Sequence, residues 1–109
     1  MQAFEIAELI AQQNNGSKPY LEFLQHPSLS VGLYVLPAGA VDGQQPHTED
    51  EVYYVVSGRG LFRHADEDRP VQAGSVLFVA AGVEHRFHSI TETLSIIVFF
   101  APPEYTNRP

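Results

Sequence analysis

Residues 39–58 read GAVDGQQPHTEDEVYYVVSG, a stretch bounded by glycines that carries amide, imidazole and carboxylate side chains. Gln45, His47 and Glu51 all stand at odd positions. If one strand ends at His47 and the next begins at Glu51, strand alternation brings these side chains onto facing surfaces across a short turn. The pattern favours a polar cluster enclosed by β-structure.

Two further side chains join this cluster by parity. Tyr53 shares the face of Glu51, so its hydroxyl is a candidate acid/base or orienting group, with a plain core aromatic as the alternative. Farther along, His85 lies in another alternating run. The residues alone therefore permit a cluster of Gln45, His47, Glu51 and His85.

The pattern of the remaining sequence predicts one short amphipathic helix in residues 1–16, followed by β-strands alone. Short runs rich in β-branched and aromatic residues are separated by Gly, Pro, Asn and Asp, which is typical of a sandwich or barrel. The predicted strands are 20–24, 30–36, 52–56, 60–64, 75–80, 85–90 and 94–100.

Three connecting segments complete this prediction. The glycine-rich sequence SGRG at 57–60 predicts a tight hairpin turn. The charged stretch at 65–70 predicts a solvated loop tip, and the proline-rich residues 101–109 predict a tail that is frayed or draped over the surface.

Composition narrows the class of protein. A chain of 109 residues predicts one domain, residues 1–109. Six basic against thirteen acidic residues give a net charge of −7, which disfavours nucleic acid and anionic membranes as partners. The absence of cysteine leaves only nitrogen and oxygen ligands for a metal. With no apolar run long enough to span a membrane, we expect a cytoplasmic protein.

The sequence of residues 39–58 resembles the first motif of the cupin superfamily, G-x5-H-x-H-x3/4-E-x6-G. Gly39 begins the motif and Gly58 closes it. His47 takes the second histidine position and Glu51 the glutamate position, whereas Gln45 stands where the family has its first histidine.

A second stretch resembles the other cupin motif, G-x5-P-x-G-x2-H-x3-N. Gly74, Gly82 and His85 match it, while Ala80 and Ser89 replace the usual proline and asparagine. The short interval between the motifs is similar to that of small single-domain microbial cupins.

The resemblance implies a small antiparallel jelly-roll barrel over residues 20–100 with a metal inside. His47, Glu51 and His85 are the implied ligands, with Gln45 as a weaker fourth ligand or a partner of metal-bound water. Two imidazoles and one carboxylate form the facial set that favours non-haem Fe(II), although Mn, Ni, Zn, Co or Cu also suit nitrogen and oxygen donors.

The leading functional hypothesis is a dioxygenase-type oxidoreductase that acts on a small organic molecule inside the barrel, with Glu51 and Tyr53 as catalytic residues. Two alternatives stay open: a metal-dependent isomerase or lyase, and a non-catalytic cupin that binds a small molecule. Because the sheet has edges to cover, and because such cupins are commonly homodimers, we also expect a homodimer.

Overall fold

The computed structural model describes residues 1–14, 16, 18–44 and 46–107. One helix precedes six strands: α1 (Ile6–Asn14), β1 (Tyr20–His26), β2 (Leu29–Leu36), β3 (Asp50–His64), β4 (Glu67–Gln72), β5 (Val76–Val79) and β6 (His85–Ala101). None of the helical segments within these ranges is long and apolar enough to cross a membrane.

The strands form one antiparallel sheet in the order β1-β2-β6-β3-β4, with β5 added to the other part of β3. This confirms the predicted antiparallel all-β fold with one short N-terminal helix. Among the described strands, β1, β4 and β5 each pair on one side only, so hydrogen bonds do not close the sheet into the predicted barrel. The architecture is an antiparallel β-sandwich.

Two apolar clusters lie on opposite faces of this sheet. The larger cluster contains inward-facing residues such as Val55, Phe87 and Ile96, each fully buried. The smaller cluster packs Leu9 of α1 against Leu33 of β2. The helix therefore covers the outer face of the β1-β2-β6 region and leaves the inner face free to line a cavity.

The predicted hairpin at residues 57–60 is wrong. The chain continues through it as the single long strand β3, whose pairing with β6 is irregular between Val55 and Leu61. Gly58 has φ +101°, and a Cβ there would lie 2.1 Å from the carbonyl oxygen of Thr93. The glycine permits a bulge that bends the strand, so the signal indicated a bend and not a reversal.

The predicted loop tip at 65–70 is only partly right. The chain turns at Ala65 and Asp66, but the following charged residues form β4, whose mostly exposed side chains gave no strand pattern in the sequence.

The strand expected to end at His47 is absent, since the described residues between Pro37 and Glu49 carry no strand. His47 reaches the interior from a loop.

Candidate metal centre

Three separate segments deliver the predicted ligands to the inner face of the sheet. Glu51 follows the first residue of β3 and points inward, and His85 is the first residue of β6. The loop that carries His47 is held by its own carbonyl, which accepts a hydrogen bond from the Gly82 backbone N–H at 2.7 Å. Gly82 of the second motif thus contacts His47, a predicted ligand from the first motif.

His47, Glu51 and His85 each offer a ligand atom, and these atoms lie within 4.8 Å of one another. The Oε1 atom of Glu51 is 2.7 Å from His85 Nε2 and 3.4 Å from His47 Nδ1. The predicted fourth ligand, Gln45, lies outside the described residues. We name the three residues the ligand cluster.

The ligand cluster has buried polar atoms without hydrogen-bond partners. Within the described structure, both carboxylate oxygens of Glu51 and Nδ1 of His47 lack a hydrogen bond of normal geometry, although Glu51 is only 2 % exposed and its Oε1 lies in ion-pair range of both imidazoles. Buried polar atoms are nearly always satisfied in folded proteins. Converging lone pairs of carboxylate and imidazole are what a divalent ion requires, so these residues fit a metal.

The charges within the ligand cluster favour an ionised carboxylate. Burial raises the pKa of Glu51, but the adjacent His47 and His85 outweigh this effect and hold it below its ordinary value. Burial lowers the pKa of His47, whereas the close carboxylates of Glu104 and Glu51 raise it to a net value of about 9. Without a metal, the cluster therefore holds a proton on His47 that an incoming cation has to displace.

His85 has a fixed ring orientation. Its Nδ1 atom lies 2.7 Å from the backbone carbonyl oxygen of Val83, so Nδ1 carries the proton that this bond needs. With Nδ1 protonated, the ring can offer Nε2, which lies 2.7 Å from Glu51 Oε1, to a metal ion. This is the tautomer that a metal ligand requires.

Tyr53 lies beside the ligand cluster, as parity predicted. Its hydroxyl is 3.0 Å from Nε2 of His85 and donates to Oε1 of Gln44, also at 3.0 Å. Burial, followed by the negative charge of Glu51, raises the pKa of Tyr53 well above its ordinary value. Tyr53 therefore remains a protonated hydrogen-bond donor at neutral pH.

Sequence analysis missed the residue that organises this neighbourhood, Asp42. Its carboxylate accepts hydrogen bonds from the Tyr34 hydroxyl at 2.6 Å, the Gln44 side-chain amide at 2.7 Å and the Phe87 backbone N–H at 2.9 Å. Because the Gln44 nitrogen faces Asp42, its oxygen is left to accept from Tyr53. An acidic residue in a glycine-rich loop gives no signal of such a role.

Sequence analysis also missed Glu104, because it treated residues 101–109 as a surface tail. The described part of that segment crosses the mouth of the site, where Glu104 Oε2 lies 3.1 Å from His47 Nε2. Glu49 anchors the segment by accepting hydrogen bonds from the backbone N–H groups of Tyr105 at 2.6 Å and Asn107 at 2.9 Å. The expected tail is therefore a wall of the site.

A cavity of about 230 Å³ adjoins the ligand cluster. Tyrosine and acidic side chains face apolar ones across it, and its lining contains no lysine or arginine among the residues described. The ring of Tyr20 enters the cavity over Gly32, where a Cβ would come within 2.2 Å of that ring. The volume suits a molecule of about ten non-hydrogen atoms or fewer.

Comparison with known sequences agrees with this geometry. The profile of the family described as "Cupin domain" matches residues 32–100. An uncharacterised protein of Streptomyces coelicolor is 49% identical over 104 residues, which cover 95% of this chain and 99% of that protein. An oxalate-binding protein of Thermotoga maritima is 36% identical over 91 residues, covering 82% of this chain and 67% of that protein.

Solved structures share the fold at lower identity. KdgF from Halomonas sp. has a TM-score of 0.71 and 21% identity, with 81% of this chain and 84% of that chain covered. A cupin-2 domain protein from Shewanella frigidimarina has a TM-score of 0.72 and 19% identity, with 91% and 94% covered. With both motifs placed in space and the family profile spanning most of the sheet, this chain belongs to the cupin family.

Proposed function

We propose that this cupin holds one divalent metal ion in the ligand cluster, Fe(II) in the leading case, and oxidises a small organic molecule in the adjoining cavity with O2. The observation that carries the proposal is the convergence of ligand atoms from His47, Glu51 and His85 within 4.8 Å of one another, with those of His47 and Glu51 buried and lacking a hydrogen bond of normal geometry. Two imidazoles and one carboxylate leave several coordination positions free, which is the arrangement of non-haem oxygenases. Mn, Ni, Zn, Co and Cu suit the same donors.

The metal would supply Lewis acidity, open positions for an oxygen ligand and, as Fe(II), electrons for O2. The residues of the chain supply the remaining functions. Val98 and Phe100 form an apolar wall, and Tyr20 and Tyr34 present their rings to the cavity. In a dioxygenase reaction both atoms of O2 enter the organic product, so no separate reductant is consumed.

Tyr53 is the proposed hydrogen-bond donor to the substrate. Its hydroxyl lies 3.0 Å from His85 Nε2, and its raised pKa keeps the proton in place. Gln44 Oε1 accepts that proton in this structure, so the hydroxyl would turn to donate to a bound substrate. We expect Tyr53→Phe to lower turnover about tenfold, the loss of one hydrogen bond, with the metal content unchanged. Steady-state rates and metal analysis of the purified variant check this, and an unchanged rate would assign Tyr53 to the core alone.

A second candidate function is the metal-dependent binding of a small dicarboxylate without turnover. The sequence relative from Thermotoga maritima described as oxalate-binding supports it. Since no lysine or arginine lines the described cavity, the metal itself would have to neutralise such an anion. Binding of oxalate that is later recovered unchanged, with no O2 uptake, would favour this candidate.

The test of the proposal combines metal loading with O2 uptake. Untagged protein is loaded anaerobically with Fe(II), and O2 consumption is followed with a catechol, a β-diketone and oxalate as probes. We expect about one metal per chain and uptake with one oxygen-chelating probe. Less than about 0.1 metal per chain after reconstitution with several divalent ions would contradict the proposal. Glu51→Gln should remove both the metal and the O2 uptake. Glu92→Gln, on the exposed Arg59 ion pair, is its matched control for the loss of a negative charge.

The homodimer stays a proposal that one surface supports. Tyr54, Val76, Phe78 and Phe99 lie on neighbouring strands β3, β5 and β6, and each is 42 % exposed or more. We name them the outer apolar face. A contiguous apolar surface of this kind on a small domain is typical of an interface, and a second copy of the chain is the proposed occupant.

Light scattering after size exclusion tests the dimer. We expect about twice the chain mass of 12.1 kDa for the native protein, and a monomer for Phe78→Lys. Val41→Lys is the control, since Val41 is 88 % exposed and lies outside the outer apolar face. A native mass equal to one chain would contradict the dimer.

A further inference from the structure

Three of the tyrosines that line the cavity differ in how their hydroxyls are satisfied. The Tyr34 hydroxyl donates to Asp42 at 2.6 Å, and the Tyr53 hydroxyl donates to Gln44 at 3.0 Å. The Tyr20 hydroxyl is buried and has no hydrogen-bond partner within the described residues. Because a buried hydroxyl that gains no hydrogen bond lowers the stability of a fold, such a group usually meets a ligand or a water molecule.

The fold makes room for this hydroxyl at one glycine. Tyr20 begins β1, and Gly32 lies on the neighbouring strand β2. A Cβ at residue 32 would lie 2.2 Å from both the Cζ atom and the hydroxyl oxygen of Tyr20, so a larger residue would push the phenol head aside. Gly32 is not one of the glycines with positive φ. Space for the ring of Tyr20, and not an unusual backbone conformation, therefore accounts for the glycine.

The ring of Tyr20 is held by apolar contacts on the inner face of the sheet. It packs against the larger apolar cluster, and its centroid lies 6.2 Å from that of Tyr34 in an edge-to-face contact. Val98 and Phe100 belong to that cluster and line the same cavity. Packing thus fixes the ring, while its polar head has no partner in the fold.

The surroundings of Tyr20 keep its proton in place. Burial raises the pKa of Tyr20, and the negative charges of Glu104 and Glu22 raise it further. The hydroxyl is therefore a hydrogen-bond donor at neutral pH and needs an acceptor. Glu51 and Glu104 line the same cavity, and no lysine or arginine is among the described lining residues. An uncharged acceptor oxygen then meets less repulsion than a carboxylate does.

We propose that Tyr20 is a specificity-determining residue of the cavity, whose hydroxyl donates a hydrogen bond to an uncharged carbonyl oxygen of the bound molecule. The inference rests on the proposed function, in which a metal in the ligand cluster binds the other end of that molecule. The molecule then carries chelating oxygens at one end and a carbonyl oxygen at the other, with its carbon atoms against Val98 and Phe100. This arrangement selects neutral carbonyl compounds over small dicarboxylates.

Unfolding of the metal-free protein tests whether the hydroxyl is unpaired in the fold. Tyr20→Phe removes the hydroxyl and keeps the ring, so we expect an unchanged or higher urea midpoint. Tyr34→Phe is the matched variant, and its midpoint should fall because the hydrogen bond to Asp42 is lost. A fall for Tyr20→Phe as large as that for Tyr34→Phe would show that the hydroxyl is satisfied within the fold, and would overturn the proposal.

Ligand binding to the Zn(II)-loaded full chain tests the class of acceptor. The probes are catechol, protocatechualdehyde, which adds an uncharged carbonyl to catechol, and protocatechuate, which adds a carboxylate. We expect Tyr20→Phe to weaken binding of the aldehyde about tenfold, the loss of one hydrogen bond, and to leave the affinity for catechol unchanged. Because each probe is compared between native protein and variant, differences in its own affinity for zinc cancel. Calorimetric titration measures each dissociation constant.

Two further variants support this comparison. Gly32→Ala displaces the phenol head without removing it, so it should weaken binding of the aldehyde as Tyr20→Phe does. Tyr54→Phe is the control for the loss of a tyrosine hydroxyl, since Tyr54 is 44 % exposed and lies on the outer apolar face. Its affinities for catechol and for the aldehyde should equal those of the native protein.

The outcomes separate this inference from the proposed function. In Tyr20→Phe, equal losses for catechol and the aldehyde, or no loss for either, would overturn the role of Tyr20 and leave the metal site intact. Tighter binding of protocatechuate than of the aldehyde by the native protein would overturn the preference for an uncharged acceptor. Zinc binding without binding of the aldehyde would overturn this inference alone, whereas absence of zinc binding would overturn both.

Discussion

Two buried carboxylates of this protein, Asp42 and Glu51, differ in how their oxygens are satisfied. Asp42 is 5 % exposed and accepts hydrogen bonds from a tyrosine, a glutamine and a backbone amide. Glu51 is 2 % exposed, and within the described structure its carboxylate lies against the imidazoles of His47 and His85 without a hydrogen bond of normal geometry. Equal burial with unequal pairing separates a carboxylate that stabilises the fold from one that awaits a ligand.

A third buried carboxylate, Glu49, resembles Asp42. It is 1 % exposed and accepts hydrogen bonds from backbone amides of the C-terminal segment and from the Thr48 hydroxyl. Glu49 and Glu51 are two residues apart, yet one anchors a segment and the other faces the cavity. The role of each buried carboxylate therefore follows from its hydrogen-bond partners and not from its position along the chain.

The largest expected effect is on metal binding by Glu51→Gln. We expect the affinity for a divalent ion to fall by more than about 100-fold, because changes to the partners of ligands already cost 10- to 100-fold. The stability of the metal-free protein should fall by only about 1 kcal/mol, because relief of the cost of burying the charge partly offsets the loss of the contacts with His47 and His85. Calorimetric titration with Mn(II) checks the affinity and urea unfolding checks the stability. Metal binding by Glu51→Gln as tight as that of the native protein would contradict the proposed role of Glu51 as a ligand.

Asp42→Asn should show the opposite pattern. We expect a loss of about 2 kcal/mol in the free energy of unfolding, because charge-assisted hydrogen bonds from Tyr34 and Phe87 are weakened. Metal affinity should change by less than about tenfold, since the hydrogen-bond partners of Asp42 within the described residues are Tyr34, Gln44 and Phe87 and not members of the ligand cluster. A metal affinity that falls as far as in Glu51→Gln would contradict the assignment.

Glu49→Gln is expected to have a smaller effect on stability, about 1 kcal/mol, because one amide oxygen replaces two carboxylate acceptors. The C-terminal segment should open more often, and faster hydrogen exchange at Tyr105 and Asn107 would report this. Native exchange rates at both amides would show that Glu49 does not anchor the segment. Metal affinity should fall only a few-fold, through Glu104.

Gln45→His is expected to have the smallest effect of these variants. It tests whether residue 45 supplies a fourth ligand to the metal. Imidazole nitrogen is a better donor than an amide oxygen, so we expect metal binding to tighten several-fold. If activity falls while the metal binds more tightly, glutamine is a tuned residue at this position. If the affinity stays unchanged, residue 45 does not contribute a ligand.

Much of the fold could be predicted from the sequence because alternation and motif spacing reflect local geometry. Glu51, Tyr53 and Val55 point inward as their parity requires, and α1 ends at Asn14 as the polar residues there indicate. The merging of two predicted strands into β3 could not be predicted. A glycine before a bulge and a glycine in a hairpin turn have the same local signature, and only the partner strand distinguishes them.

The ligands of the site could be predicted from spacing, whereas their supporting residues could not. Asp42 and Glu104 act through contacts with residues distant in the chain, and nothing in their neighbouring sequence marks them. Glu104 in particular lies in a proline-rich terminal stretch that composition alone assigns to the surface. Contacts of this kind depend on tertiary packing, which a single sequence does not reveal.

The most direct test of the central claim is the position of the ion in a crystal of the Mn(II)-loaded protein, located by anomalous scattering. We predict one peak per chain, about 2 Å from a carboxylate oxygen of Glu51 and from one nitrogen each of His47 and His85. A peak elsewhere, or an ordered hydrogen-bonded water at the ligand cluster with no metal in fully loaded crystals, would contradict the account.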